Sequence, residues 1–146
     1  MGFEVIGTVD IGRPVGDVFA FLSDFSNNPK WEKGLEEMEF TTPGPLAVGS
    51  KGRRVENMMG RDEGTFEITE FEQDKHVGLT FESQRFKGSG QYDLESIDAG
   101  TRLNYRFVGD AKGMVWKLLI PLMAPMIKRS GRKDFLRLKS LVEGGS

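Results

Sequence analysis

Apolar positions along the chain follow two rhythms, and the change between them predicts the order of elements. Phe3, Val5, Gly7, Val9 and Ile11 alternate with mostly polar neighbours, the period-two signature of a strand. From Val15 the spacing opens to three and four. Val15, Val18, Phe19 and Leu22 fall on one helix face, and Pro14 suits the first turn. Asp24 is a candidate cap for a second short helix, which Pro29 and Trp31 end.

Period two returns at about residue 35 and persists to about residue 109. "LEEMEF", "KGRRVENMM", "GTFEITEFE", "HVGLTFES", "GQYDLESI" and "TRLNYRFVG" read as strands, with Asp98-Ala99-Gly100 giving the clearest hairpin turn. Alternation puts Phe66 and Ile68 on one face, with Val77, Leu79 and Phe81, then Tyr92 and Leu94, then Leu103, Tyr105 and Phe107. Glu67, Thr80, Asp93, Glu95, Arg102, Asn104 and Arg106 then face water. An antiparallel sheet with one dry face has this pattern. The register of "KGRRVENMM" stays open: if Val55 points inward, so does Asn57, and Arg54 and Glu56 point out.

The chain closes on "KLLIPLMAPMIKRSGRKDFLRLK". From Met114 to Ile127 it is oily on every side but for Lys117. That stretch is shorter than the roughly 20 apolar residues of a membrane-crossing helix. Pro121 and Pro125 cost ~3 kcal/mol each inside a regular helix, which predicts a break. A short oily helix over 113–120 would then precede a longer one through Leu141, with Phe135, Leu138, Leu141 and Val142 as its apolar stripe. The fold class is α+β: strand, two short helices, six strands, long C-terminal helix.

Composition narrows the chemistry. The 146 residues fit one domain, over 1–143, with 144–146 as a flexible tail. Cysteine is absent, which excludes disulfides and thiolate metal sites. His76 is the single histidine and reads as an exposed turn residue, so no metal site is expected. No Gly-x-Ser-x-Gly elbow and no phosphate loop occur, and no cofactor is implied. The net charge of -2 points away from nucleic acid. The N-terminus shows no signal peptide, and Ile6 stands where a myristoylation signal needs Ser or Thr. A cytoplasmic protein is expected.

Acid–base chemistry without metal needs a titratable group in an apolar cavity. Tyr92 and Tyr105 are the catalytic candidates, because parity points both inward, where a phenol can orient a carbonyl. The alternative is a tyrosine satisfied by its own core. Glu36, Arg54, Glu56 and Asn57 are weaker candidates. Lys128, Arg129, Arg132, Lys133, Arg137 and Lys139 form either a solvated face or a contact for an anionic lipid surface. No aromatic platform interleaves with them, which argues against nucleic acid.

Several motifs, taken in order, resemble one superfamily. "IGRPVGDVFAFLSDFSNNPKW" is similar to its opening, a Pro-Val helix leading to an Asp and then Pro-x-Trp. "VGSKGRR", "EITEFEQDKHVGLTFES", "DAGTRLNYRF" and "DFLRLKSLVE" resemble its later strands and closing helix. Together they cover nearly the whole chain and resemble the START-like (SRPBCC) superfamily, with its birch-pollen-allergen-like helix-grip fold. The subgroup they most resemble is that of polyketide cyclase/dehydrase and lipid transport. The resemblance implies a curved seven-stranded antiparallel sheet wrapped around the C-terminal helix, two short helices between the first two strands, and a cavity between sheet and helix. It places Trp31 where the short helices meet the sheet, as core, pocket wall or both.

The leading expectation is binding or carriage of a hydrophobic small molecule, lipid-like or aromatic-polyketide-like. Tyr92, Tyr105 and Asn57 would supply polar contacts. Phe66, Ile68, Leu79, Phe81, Leu94, Leu103, Phe107, Trp116, Leu119, Met123 and Met126 would supply the apolar wall. One alternative is a metal-independent cyclase, dehydratase or isomerase using the cavity tyrosines. The other is a non-catalytic module with a closed core, whose oily 114–120 piece serves a homodimer interface or docks on lipid.

Overall fold

Sheet pairing in the computed structural model follows chain order with one crossing. The structure describes residues 2–58 and 60–144. Its strands are β1 (Gly2–Ile11), β2 (Leu35–Phe40), β3 (Lys51–Asn57), β4 (Arg61–Glu72), β5 (His76–Ser83), β6 (Phe86–Ile97) and β7 (Gly100–Ala111). From β2 to β7 each strand pairs antiparallel with the next. β1 pairs instead with β7, giving the order β1-β7-β6-β5-β4-β3-β2. The seven-stranded open antiparallel sheet with its long C-terminal helix is the helix-grip fold.

Between β1 and β2 the chain makes helix α1 (Val15–Ser23) and a 3₁₀ helix (Phe25–Lys30). Val18, Phe19 and Leu22 of α1 are buried, as the spacing predicts. Asp24 caps the 3₁₀ helix by accepting from the Ser26 N–H at 3.2 Å, and Trp31 closes it.

The concave face is read directly from strand register. Phe66 stands opposite Phe81, Leu79 opposite Ile68, Tyr92 opposite Tyr105, and Phe107 opposite Val5. Directly opposed residues share a face, so these side chains all line the inner surface. Where a ring needs room, the opposing position is glycine. A Cβ at Gly90 would stand 2.2 Å from the Phe107 ring, and one at Gly7 would stand 2.4 Å from the Tyr105 hydroxyl oxygen. These two glycines let the rings lie flat on the sheet.

Register decides the facing that the sequence leaves open on β3. Gly52 pairs with Phe66 on one side and Phe40 on the other, and Arg54 pairs with Met38. Even-numbered residues of β3 therefore face inward with Arg54 and Glu56. Val55 is buried without joining the main core, and Asn57 is exposed at the strand's end.

The proline prediction is also corrected. Met114–Glu143 is one uninterrupted helix, α2, containing both Pro121 and Pro125. At 1.5 Å per residue it is about 45 Å long. Each proline removes one N–H, which leaves the carbonyls of Lys117 and Pro121 without their usual donors. Both prolines are exposed, so water reaches those carbonyls. The far half of the helix is seated on the sheet by Phe135, Leu138 and Val142, all buried. Its end is latched as well: Glu143 Oε2 accepts from the Gly12 N–H at 2.7 Å, and Lys139 Nζ donates to the Asp10 carbonyl at 2.8 Å. Of the tail expected over 144–146, residues 145 and 146 lie outside the described residues. Among the described residues no helix is long and apolar enough to cross a membrane.

Candidate functional site

The space between sheet and helix divides into a filled end and a cleft. Phe135 of α2 fills the first. It stacks on Tyr105 with centroids 3.7 Å apart, and lies 5.0 Å from Trp31 and 6.1 Å from Tyr92. Phe25, Phe40 and Phe66 form a second aromatic group, with centroids 5.1 to 5.4 Å apart. Phe66, Ile68, Leu79, Leu94 and Leu103, expected as apolar wall, Tyr92 and Tyr105, expected as polar contacts, and Trp31 are buried here and pack in one core.

The cleft has a volume of about 770 Å³. It is open at the rim of the sheet: Phe3, Phe81, Gly88 and Gly109 line it from the inner face, Ala124 and Lys128 from α2, and Glu4, Thr80, Glu82, Lys87, Ser89 and Asp110 from the convex face. Phe107, Leu119 and Met123 are half-buried. Trp116 is half-buried too, packed edge-on against Phe86 at 5.6 Å under the Arg85 guanidinium. Met126 does not join this wall. The unbroken helix turns it outward, on the same side as Leu118 and Leu122, and it is exposed.

One feature of the inner face, outside the cleft lining, is not apolar. Arg54 Nη2 lies 3.4 Å from Glu32 Oε1 and 2.5 Å from Glu56 Oε1. About a fifth of the Arg54 and Glu32 side chains remains exposed. Asn28 Nδ2 donates to Glu32 Oε2 at 2.9 Å. Burial pushes the Glu32 carboxyl up, against the opposing pull of Arg54. The Arg54 guanidinium stays charged, because the two carboxylates outweigh the effect of its burial. The Tyr92 phenol is raised well above its usual value by burial and by the Glu32 charge, with Arg54 pulling the other way. Tyr105 is raised by burial alone, against Arg132.

Two buried polar side-chain atoms have no partner among the described residues: Oδ1 of Asn28, whose Nδ2 holds Glu32, and Trp31 Nε1. One accepts and the other donates. A ligand hydroxyl or carbonyl has the chemistry to meet such atoms, and ion pairs this enclosed are costly unless something else uses them.

The sequence reading missed Arg54 and Glu32 as principal inner residues. The available signal was the pair Arg54 and Glu56, opposite charges two apart on a strand and hence on one face. Glycine at 52, making room for Phe66, fixes which face that is.

His76 stands at the start of a strand beside a turn, as expected, but its side chain is mostly enclosed rather than exposed. It opens β5, and its ring bridges Asp93, through Nδ1 at 2.6 Å, and Glu70, through Nε2. This lies on the convex face, away from the cluster. Among the described residues no group of three or more acidic or histidine side chains is arranged to hold a metal.

Similar proteins agree with this architecture. A Thermus thermophilus protein superposes with a TM-score of 0.80 at 18% identity, over 98% of this chain and 99% of the other. The aromatase/cyclase Zhui of a Streptomyces species gives 0.80 at 14%, over 98% and 94%. A START superfamily protein of Mycobacterium smegmatis gives 0.72 at 15%, over 98% and 96%. At such identities the likeness speaks for the fold. No curated protein matches the chain. The family model described as polyketide cyclase / dehydrase and lipid transport matches residues 3–143, and the chain belongs to that family.

Proposed function

We propose that the protein binds a hydrophobic small molecule, lipid-like or aromatic-polyketide-like, between the sheet and α2. The apolar body of the ligand lies against Phe81, Phe107, Leu119 and Met123. Its polar end meets Arg54, which keeps about a fifth of its side chain exposed; Tyr92 and the unpaired atoms of Asn28 and Trp31 are buried in the closed core and are reached only if that core opens. The observation that carries this reading is the Glu32–Arg54–Glu56 cluster on an otherwise aromatic inner face. A solid core gains nothing from buried charge, whereas ligand sites are mostly apolar with a few convergent polar groups.

Native mass spectrometry of freshly purified protein, with thermal shifts against fatty acids and polycyclic phenols, tests it. Binding raises the melting temperature, and Arg54→Met weakens it for ligands bearing an acidic or carbonyl group. No bound species and no shift with any of these compounds would refute the proposal.

A second reading is a cofactor-free cyclase or dehydratase. It is favoured by a carboxyl raised by burial beside a guanidinium and a phenol, the arrangement that acid–base work on a carbonyl compound requires. Glu32 would move the proton, and Arg54 and Tyr92 would hold developing oxyanion charge. Incubation with a poly-β-keto thioester decides. This reading expects cyclised product that falls at least about tenfold in Glu32→Gln. Equal product from that variant removes Glu32 from the chemistry.

A further inference from the structure

The first half of α2 presents an apolar face to solvent rather than to the protein. Met114, Val115, Leu118, Leu122 and Met126 are between 54% and 79% exposed. Their spacing places them on one side of the helix, opposite buried Ile120. These residues are held out and not frayed. Lys112 Nζ binds Glu82 Oε2 and the Ser83 carbonyl, both at 2.8 Å, and Trp116 packs on Phe86. A contiguous exposed apolar stripe of this kind marks an interaction surface.

Charge names its partner. Over 114–133 the helix carries Lys117, Lys128, Arg129, Arg132 and Lys133 and no acidic residue. All five are exposed, and none has an acidic partner among the described residues. The ion pairs of α2 begin only beyond them, at Asp134–Arg137 and Lys139–Glu143. Arg129 and Lys133 continue the line of the apolar stripe, one and two turns past Met126. A second copy of the chain is a poor occupant, because an isologous contact uses the same patch on both sides and this patch supplies no acidic group to meet the basic residues. An apolar strip followed by a basic collar fits the acyl boundary and headgroups of an anionic membrane.

We propose that this face of α2 docks the protein on an anionic lipid bilayer, with Leu118 and Leu122 entering the interface and the basic collar on the headgroups. The surface stands apart from the Arg54 cluster, so docking does not depend on the binding reading.

Flotation with phosphatidylcholine vesicles, with and without about 30% phosphatidylglycerol, tests it. The full chain floats with the anionic vesicles and not with the neutral ones, and about 0.5 M salt releases it. Leu118→Glu/Leu122→Glu abolishes flotation while leaving the melting temperature and the small-molecule thermal shifts in place. Reversing Arg129, Arg132 and Lys133 weakens binding by about fivefold or more per residue. No flotation with anionic vesicles overturns the proposal. So does flotation that ignores the leucine variant. A dimer seen by light scattering and dissolved by that variant, with no vesicle binding, assigns the face to a second copy instead.

Discussion

Tyr105 and Phe135 lie face to face, their ring planes 11° apart. One comes from β7 and the other from α2, so this stack is a main fastening of helix to sheet. Trp31, Tyr92 and Phe107 also pack around Phe135. Phe135→Ala should therefore lower stability by about 3–5 kcal/mol, through lost burial plus the cavity left behind. Phe135→Leu should cost markedly less. Urea unfolding followed by tryptophan fluorescence measures both. A loss below about 1 kcal/mol in the alanine variant would mean that the helix is held elsewhere.

His76 makes stability depend on pH in a definite direction. Its side chain is mostly enclosed between Glu70 and Asp93. Burial opposes its charge, but the two carboxylates prevail and raise its pKa above the usual histidine value. A group with a raised folded pKa contributes stability that is fully present below its unfolded value, about 6.5. That contribution is lost as pH rises through the folded pKa. Wild type and His76→Gln should thus differ most in melting temperature near pH 5.5 to 6, roughly, and converge in mild alkali. The chain has one histidine, so its ring protons in an NMR titration report the folded value without ambiguity. A value at or below that of a free histidine contradicts the clamp.

Arg54 serves two carboxylates, and that makes the cluster asymmetric to mutation. Arg54→Met leaves Glu32 enclosed with no counter-charge, at a cost of about 3–5 kcal/mol. Glu32→Gln leaves Arg54 paired with Glu56 and should cost about 1 kcal/mol or less. The double variant should recover much of the Arg54→Met loss, giving a coupling of about 2 kcal/mol in a double-mutant cycle. Additive losses would show that the 3.4 Å contact carries no energy.

How much of this was legible in the sequence depends on what each position asked of its neighbours. Strand parity placed Phe66, Leu79, Tyr92, Leu103 and Tyr105 on the inner face, because a one-residue slip would move a whole apolar row into water. Parity failed on β3, where charged residues alternate with only Gly52 and Val55. Nothing local there distinguishes the faces, and only pairing with Met38 and Phe66 decides. The site was hidden for the same reason. Glu32 lies in the connection after the 3₁₀ helix, and its meeting with Arg54 is a product of folding over 22 positions of sequence. The oily half of α2 was visible as composition. That Leu118 and Leu122 face solvent depended on the helix being continuous, which two prolines argued against.

Those prolines give the last prediction. Pro121 and Pro125 sit inside a continuous helix, and no buried contact needs their rings, since both are exposed. Proline is about 3 kcal/mol worse than alanine in a helix interior, through the lost N–H bond and the clash with the preceding turn. Part of that penalty is offset in the native chain, because proline also restricts the unfolded state. Pro121→Ala and Pro125→Ala should each therefore raise stability, by about 1–2 kcal/mol. The gain should be local. Amide exchange should slow over 114–126 and stay unchanged near Leu138, which the sheet already holds. If either variant is destabilised, the helix departs from regular geometry at that turn and the proline is accommodating the departure.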